Sequence, residues 1–390
     1  MNKVPNLRFK EFSGDWGSKK IGEITIKVGS GKTPKGGNSV YTDEGIIFLR
    51  SQNVLNGKLS LDDVAYITED INSTMKSTEV YPNDILLNIT GASIGRSCCV
   101  PESFERANVN QHVCIIRLNK NYNSNFVMNQ IISSRVQKQI NSFQAGGNRE
   151  GLNFEQIKGM KISSTTLEEQ EKIASFFSLI DKKIELQTEK VEELKNYKKG
   201  IMQKIFSQEL RFKDENGNEY PEWEEKSFQE LYLNIPTKQY QIKSSEVKAY
   251  GEIEVIDQGK EKICGYTDSL DKIFDNLPVI IYGDHTTNVK FRDEKFVVGA
   301  DGTKLLGNKN ANNDLKFLFY ALEFNNIEAE GYKRHFSILK QISLYISKSL
   351  SEQIKISKVL SYLDTKIDKE QAKLESLNQY KKGLLQQMFI

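Results

Sequence analysis

Hydrophobic and polar positions follow a heptad pattern in two stretches of this chain, residues 167–206 and 350–389. Steps between apolar residues alternate between three and four, which is typical of a helix packed along one narrow stripe rather than of a strand. The positions that we predict to form a helix-pair interface are Ile173, Phe177, Ile180, Ile184, Val191, Leu194, Ile356, Leu360, Leu363, Ile367, Leu374 and Leu377.

The two stretches are copies of one segment, 183 positions apart, with 18 identities in 40 aligned pairs and no gap. Each opens on a capping-box pattern, Thr166 with Glu169 and Ser349 with Glu352. Forty residues at ~1.5 Å per residue make a helix of roughly 60 Å. Because one such helix cannot bury its own stripe, we predict that the two copies pack on each other.

Between the helices lie two regions of mixed pattern, a first head over residues 1–165 and a second head over residues 208–348. Short apolar runs bounded by glycine and polar residues predict strands, and longer periodic runs predict a helix in each head. The fold class is therefore α+β, with two strand-rich heads. The predicted strands are 46–49, 85–89, 113–118, 279–282 and 296–298, the predicted helices are 126–140 and 315–324, and the predicted loops include 29–31, 36–37 and 145–147.

Charge alone does not identify a nucleic-acid binder. The chain carries a net charge of +2, with 20 Lys and Arg against 15 Asp and Glu in residues 1–165, and 19 against 24 in residues 207–349. DNA binding would therefore need local basic patches. The spacing of four cysteines and three histidines predicts no metal site. The absence of a signal peptide or a long apolar run predicts a cytoplasmic protein with reduced cysteines.

Two resemblances to catalytic motifs fail on inspection, and a third catalytic motif is missing. The run Gly29–Thr33 lacks the first glycine of a phosphate-binding loop, since that position is Ile26. Asp284 with Asp293, Glu294 and Lys295 loosely resembles a nuclease carboxylate set, but such triplets arise by chance in a chain with 27% charged residues. No two prolines are adjacent, so the proline-pair loop of adenine methyltransferases is missing. We expect no catalytic residue on this chain.

Polar loops with glycines recur in both heads. Arginine can bind guanine with two hydrogen bonds, asparagine and glutamine can bind adenine, and backbone amides can reach phosphates. The alternative is that these side chains only close turns. The residues that we predict to contact DNA are Lys32, Thr33, Lys35, Arg50, Gln52, Asn53, Ser93, Arg96, Asn110, Gln111, Asn148, Arg149, Gln258, Lys260, His285, Thr286, Lys304, Arg334 and His335.

Several motifs together resemble the specificity subunit of a type I restriction-modification system. Glu-Gln-x-Lys-Ile opens both helices, at 169–173 and 352–356, and Lys-Lys-Gly lies near both helix ends. The sequence Leu-Arg-Phe-Lys occurs at 7–10 and 210–213, followed by Trp16 and Trp223 respectively. The runs 91–95 and 108–111, and 283–286 with 300–302, resemble recognition domains of that family.

The resemblance implies target-recognition domains at 1–165 and 208–348, alternating with conserved spacer helices at 166–207 and 349–390 that pair as an antiparallel coiled coil. Each head would read one half of a bipartite DNA site, and the helices would set the gap. Two modification subunits would bind S-adenosylmethionine and methylate adenine, and restriction subunits would use ATP and Mg²⁺. This chain would carry no cofactor. Two alternatives from other classes are a DNA-free coiled-coil scaffold with ligand-binding heads and a stand-alone nuclease.

Overall fold

A computed structural model describes residues 4–34, 36–144, 151–299, 301–331 and 333–390. The chain divides into two compact units. Unit 1 comprises Met1–Thr188 with Ala372–Ile390, and unit 2 comprises Glu189–Gln371. Each unit therefore combines one head with part of both long helices. Among the described residues, no helix is both long and apolar enough to cross a bilayer.

Unit 1 is built from short strands and helices. Its strands are β1 Gly17–Lys20, β2 Thr25–Ser30, β3 Ile46–Leu49, β4 Val54–Leu55, β5 Lys58–Leu59, β6 Ala65–Ile67, β7 Glu79–Val80, β8 Ile85–Asn88, β9 Ser97–Cys99, β10 Ala107–Val109, β11 Val113–Leu118 and β12 Lys161–Ser164. Its helices are α1 Ile21–Ile24, α2 Glu69–Ser73, α3 Ser124–Ile132, α4 Ser134–Gln144 and α5 Phe154–Gly159, followed by the first long helix, α6 Leu167–Phe206.

Two four-stranded sheets, β6-β3-β10-β7 and β2-β11-β8-β9, form the body of unit 1. Successive side chains of a strand point to opposite faces of its sheet, and the burial follows this rule. Leu86 and Ile115 pack in the core between the two sheets. Ile85 and Ile116 face the other way, into a core shared with the helices. Unit 1 is therefore layered as sheet, sheet and helices.

Two local predictions in unit 1 were wrong. Gly29 and Ser30 do not form a loop, because they pair with Ile115 and Cys114 as the end of β2. The predicted helix 126–140 is two helices, α3 and α4, separated at Ser133. That residue is extended, and both its N–H and its hydroxyl bond to the carbonyl of Gln130. The side-chain hydroxyl therefore competes with helix continuation.

Unit 2 repeats the architecture of unit 1. Its strands are β13 Glu224–Ser227, β14 Tyr232–Ile235, β15 Ile253–Ile256, β16 Gly265–Thr267, β17 Ile273–Phe274, β18 Val279–Gly283, β19 Val289–Arg292, β20 Phe296–Val298, β21 Thr303–Asn308 and β22 Ser343–Ile346. Its helices are α7 Phe228–Leu231, α8 Leu315–Phe324 and α9 Phe336–Leu339, followed by the second long helix, α10 Leu350–Met388. The strand orders β16-β15-β20-β17 and β14-β21-β18-β19 match those of unit 1 position by position.

The two long helices pair in an antiparallel sense within each unit. In unit 1, the ring of Phe177 stacks on that of Phe389 with 5.9 Å between the ring centres. Four residues further along α6, a carboxylate oxygen of Asp181 lies 2.5 Å from Nζ of Lys381. From one contact to the next, the residue number increases on α6 and decreases on α10, so the two helices run in opposite directions. The same holds in unit 2, where Lys190 pairs with Glu370 at 2.7 Å and Lys198 with Asp364 at 2.7 Å. The predicted pair of long helices is thus present.

Burial along the helices follows the heptad stripe. The stripe residues that are buried are Ile173, Phe177, Val191, Ile356, Leu360 and Leu363, and those that are partly buried are Ile180, Ile184, Leu194, Ile367, Leu374 and Leu377. Ile173 and Phe177 join the core of unit 1, and Ile356 and Leu360 that of unit 2. The helices are therefore part of the hydrophobic core of each unit as well as partners of each other.

The capping boxes form only in part. Thr166 accepts a bond from the N–H of Glu169 at 3.4 Å, and Ser349 does the same for Glu352 at 3.4 Å. The glutamates do not reach back to the cap. Instead the carboxylate of Glu169 binds Arg8 at 2.7 Å and 2.8 Å. The motif that begins each head thus serves to attach that head to the start of a long helix.

Candidate nucleic-acid interface

One end of the layered sheets in unit 1 collects the polar loops. Strands β2, β3, β8 and β10 all end there, so the segments that follow them converge. Backbone hydrogen bonds join these segments. The N–H of Gly31 donates to the carbonyl of Val113 at 3.3 Å, and the N–H of Asn110 donates to the carbonyl of Leu49 at 3.0 Å. The backbone of Gly31 lies so close to that of Val109 that a Cβ on Gly31 would be 1.6 Å from the carbonyl oxygen of Val109. Only glycine permits this approach.

Side chains extend the connection between the loops of unit 1. The hydroxyl of Thr33 bonds to the side-chain oxygen of Gln111. The side-chain nitrogen of Gln111 lies 3.0 Å from Nε2 of His112. On the other side of the His112 ring, Nδ1 lies 2.6 Å from the hydroxyl oxygen of Thr90. Three loops that are distant in sequence therefore share one polar cluster. Beside the clustered residues, Lys32 and Arg96 are exposed.

Some predicted DNA contacts in unit 1 have roles inside the protein. Asn53 is 2% exposed, and its side chain accepts from the N–H of Arg50 and donates to the carbonyls of Ser60 and Asp63. It shapes its own loop, and we leave it out of the proposed contact set. Gln52 and Arg50 both donate to the Asp63 carboxylate, at 2.5 Å and 3.3 Å. Sequence reasoning missed Asp63, because a lone acidic residue carries no recognisable signal.

The remaining predicted positions of unit 1 differ in accessibility. Asn110 is 9% exposed, and its side-chain oxygen accepts from the N–H of His112 at 3.1 Å. Ser93 is half-buried, and its carbonyl accepts from the N–H of Arg96 at 3.1 Å. Lys35, Asn148 and Arg149 lie outside the described residues. Their role stays a prediction.

Unit 2 presents the corresponding end of its sheets. The strand register relates the two units, since Asn88 opposes Val113 in unit 1 and Gly283 opposes Thr303 in unit 2. The loops after β15 and β18 and before β21 are therefore equivalent to those that converge in unit 1. They too are bonded to each other, because Asp284 N–H donates to the carbonyl of Gly302 at 2.7 Å.

Gln258 lies at the centre of this end of unit 2. Its side-chain amide donates to the carbonyl of Asp301 at 2.9 Å, and its side-chain oxygen accepts from the N–H of His285 at 3.0 Å. Its backbone carbonyl accepts from the hydroxyl of Thr286. One residue thus links the loops at 257–260, 284–288 and 301–302. Lys260 in the same loop is exposed.

His335 is enclosed in unit 2 and is not placed to touch DNA. It is 1% exposed. Its Nδ1 lies 3.1 Å from the carbonyl of Asp284, and its Nε2 accepts from the N–H of Glu330 at 3.0 Å. Both ring nitrogens are therefore used within the fold, and we leave His335 out of the proposed contact set. The neighbouring Arg334 is exposed.

Two further features concern the charged groups near these loops. Lys304 lies 3.8 Å from a carboxylate oxygen of Asp284, whose other oxygen accepts from the N–H of Phe336 at 2.9 Å. Glu294, from the run that resembles a nuclease set, pairs with Arg292 at 3.2 Å. These carboxylates are thus engaged in contacts within unit 2.

Comparisons with known proteins agree with this duplicated architecture. The chain matches the family described as the type I restriction modification DNA specificity domain over residues 13–196 and again over residues 212–379. It is similar to the MjaX specificity subunit of Methanocaldococcus jannaschii, with 25% identity over 403 residues that cover 96% of this chain and 93% of that protein. The type I restriction enzyme MjaVIII specificity subunit of the same organism is 25% identical over 210 residues, or 53% of this chain and 49% of the relative.

Two solved structures share the fold. The crystal structure of the S subunit of a type I restriction-modification system from M. genitalium aligns with a TM-score of 0.62 and 16% identity, covering 99% of each chain. A structure described in a study of complex assembly and conformational transition of the type I restriction-modification system aligns with a TM-score of 0.52 and 14% identity, covering 97% of this chain and 98% of that one. At such low identity, the likeness concerns the fold alone.

Proposed function

Because this chain belongs to the family of type I restriction-modification DNA specificity subunits, we propose that each of its units reads one half of a bipartite DNA target. The observation that supports this most directly is the repeated placement of polar loops. In both units they converge at the equivalent end of the same sheet arrangement. Two readers on one chain suit a target with two different halves.

We assign five exposed side chains in or beside these loops to direct contact with DNA. In unit 1 these are Lys32, Gln111 and Arg96, and in unit 2 they are Lys260 and, next to His335, Arg334. Arginine and glutamine can recognise base edges in the major groove, and lysine neutralises phosphates. The small net charge of +2 leaves these local groups to provide the attraction.

The long helices are proposed to set the distance between the two half-sites. Each is continuous, α6 over Leu167–Phe206 and α10 over Leu350–Met388, and each contributes to both units. A continuous helix has a fixed rise of about 1.5 Å per residue. Its length therefore translates directly into a distance along the DNA.

Catalysis is proposed to reside on partner chains. In this proposal two modification subunits dock on the helices and heads and methylate adenine with S-adenosylmethionine. Restriction subunits add cleavage driven by ATP and Mg²⁺. The engagement of Asp284 and Glu294 in contacts within unit 2 supports a non-catalytic role for those carboxylates.

A head exchange tests the proposal. Residues 209–348 are replaced by those of another family member, and methylated adenines are mapped by single-molecule sequencing in a host that carries the modification subunits. We expect one half-site to change while the other half-site and the gap stay the same. A change in both halves would contradict modular reading. In parallel, a gel-shift assay with the modification subunits present separates DNA binding from a DNA-free scaffold, and Mg²⁺-dependent cutting by the pure chain would favour a nuclease.

A further inference from the structure

We propose that Lys290 and Gln258 are positioning residues, which hold the 257–261 loop of unit 2 in the shape in which Lys260 meets DNA. This rests on the proposed function, because it assumes that this loop lies at a DNA interface. Neither residue would need to touch the DNA. Lys290 lies on strand β19, outside the loops that the sequence pattern singles out.

Lys290 ties the two ends of the loop together. Its ammonium donates to the carbonyl of Asp257 at 2.9 Å and to the carbonyl of Glu261 at 2.5 Å. It also lies 4.0 Å from the Asp257 carboxylate, and its side chain is 14% exposed. One half-buried cation therefore binds two backbone carbonyls four residues apart. Burial lowers the pKa of Lys290, against the nearby carboxylate of Asp257, which raises it.

Gln258 fixes the middle of the loop against its neighbours. Its side-chain amide donates to the carbonyl of Asp301, and its side-chain oxygen accepts from the N–H of His285. Asn288 adds a bond from its side-chain amide to the Gln258 carbonyl at 3.0 Å. The residue therefore uses its hydrogen-bonding groups to connect loops, and this leaves base or phosphate contact to Lys260.

Two glycines show how closely the neighbouring loops pack on Gln258. A Cβ at Gly302 would lie 2.6 Å from the side-chain nitrogen of Gln258, and Gly302 has a φ of +89°. A Cβ at Gly283 would lie 3.0 Å from the Cβ of Gln258. The backbone at both positions thus leaves room for the glutamine and for little else. Such preorganisation reduces the entropy lost on binding.

Hydrogen exchange of the full chain without DNA tests positioning directly. In Lys290→Met and Gln258→Ala, we expect amide exchange in 257–261 and 284–288 to rise about five- to tenfold, the effect of losing one or two hydrogen bonds. Exchange in β18 and β21 should stay the same, which shows that the fold is intact. Lys309→Met is the matched control. Lys309 follows the end of β21 that lies away from these loops, and its ammonium also donates to a backbone carbonyl, that of Gln229, at 2.6 Å. Unchanged loop exchange in both test variants would overturn the proposal.

A second readout separates this proposal from the proposed function. In complexes with the modification subunits, Lys290→Met should reduce the salt slope of log K about as much as Lys260→Ala does, and the double variant should reduce it no further than either single variant. Lys290→Arg, which keeps a cationic donor, should restore most of the slope. If Lys260→Ala reduces the slope but Lys290→Met does not, positioning is wrong and the proposed function survives. If the head exchange shifts neither half-site, the proposed function itself fails, while hydrogen exchange in the 257–261 loop still tests positioning.

Discussion

Lys198 and Asp364 form an ion pair across the two long helices in unit 2, with Nζ 2.7 Å from Oδ1. The same relationship recurs 183 positions away in each partner, because Lys381 pairs with Asp181 at 2.5 Å in unit 1. The two lysines interrupt the heptad stripe, as do Gln187 and Glu370, and the lysine side chains are only 13% and 12% exposed. A polar contact at one position of an apolar stripe specifies the register of a helix pair.

Removing one member of this pair should destabilise its unit. Because Lys198→Met leaves the carboxylates of Asp364 and Glu323 without their cation, we expect a loss of about 1–2 kcal/mol, less than for a fully buried pair. The urea midpoint of the full chain measures it. The double variant Lys198→Met with Asp364→Leu should recover part of the loss, and Lys183→Met, at an exposed position of the same helix, should have almost no effect. Equal losses in the single and double variants would show that the pair is not coupled.

The pH dependence of this contribution has a definite sign. Burial lowers the pKa of Lys198, but the carboxylates of Glu323 and Asp364 outweigh it, so the net pKa is raised. Stability from a group of raised pKa is fully present below its unfolded pKa, about 10.4 for lysine, and is lost as pH rises through the folded pKa. The difference between Lys198→Met and the parent should therefore stay constant from about pH 6 to 9. A difference that shrinks within that window would contradict this assignment.

Glu169 and Glu352 each bind an arginine of a head, but at different distances. Both side chains are at most 1% exposed, but Arg8 binds Glu169 at 2.7 Å and 2.8 Å, whereas Arg211 lies 3.4 Å and 3.5 Å from Glu352. Replacing a buried hydrogen-bonded carboxylate should cost about 1–3 kcal/mol. We expect Glu169→Gln to cost more than Glu352→Gln. Thermal unfolding of both variants measures this, and a reversed order would show that arginine distance does not decide the cost.

Shortening both helices by one heptad should change the accepted gap. Deleting 186–192 together with the equivalent 369–375 removes about 10 Å of helix and keeps the stripe in phase. Because B-DNA rises about 3.4 Å per base pair, the gap should shorten by roughly 3 base pairs. Methylome sequencing measures the gap. Removing two residues from each helix is the control, since it rotates the stripe by about 200° to the opposite face and should abolish methylation. An unchanged gap with altered half-sites would refute the spacer role.

The exposed cations of the two units should separate into base and phosphate contacts. Arg96→Ala in unit 1 should relax one base position at a cost of about 1–3 kcal/mol, and leave the half-site of unit 2 intact. Lys260→Ala should weaken binding to all sequences alike and reduce the salt slope of log K by about 1. Titrations at several salt concentrations with the modification subunits present distinguish the two. If both variants lower only the salt slope, Arg96 is not a base reader.

Acid should destabilise unit 1 through Glu79. The hydrogen bond from Arg106 at 2.9 Å lowers the pKa of this carboxyl, burial opposes it, and bonds from Asn72 and Tyr81 add to it. Stability from a group of lowered pKa is present above its unfolded value, about 4.3, and is lost as pH falls through the folded pKa. Arg106→Gln should therefore be less stable than the parent at pH 7 and approach it below about pH 4. A stability difference that grows as the pH falls below about 4 would argue against this pair.

The loops show where prediction from the chain reached its limit. Polar glycine loops were recognisable, but their local composition does not distinguish a side chain that faces DNA from one that holds a turn. Asn53, His335 and Gln258 belong to the second kind, because each has a hydrogen-bond partner that lies between 10 and 51 positions away in the sequence. Lys290 had no signal at all, since its partners are backbone carbonyls, which every residue possesses.

Periodicity and repetition along the chain were enough to establish the two long helices, their pairing stripe and the alternation of heads with helices. Such patterns are local, and burial of an amphipathic stripe leaves few alternatives. The convergence of four loops at one sheet end, the break at Ser133 and the pairing of Lys198 with Asp364 were decided only by tertiary structure. Those features depend on contacts between distant residues, where hydrogen-bond geometry and packing, rather than local preference, select the conformation.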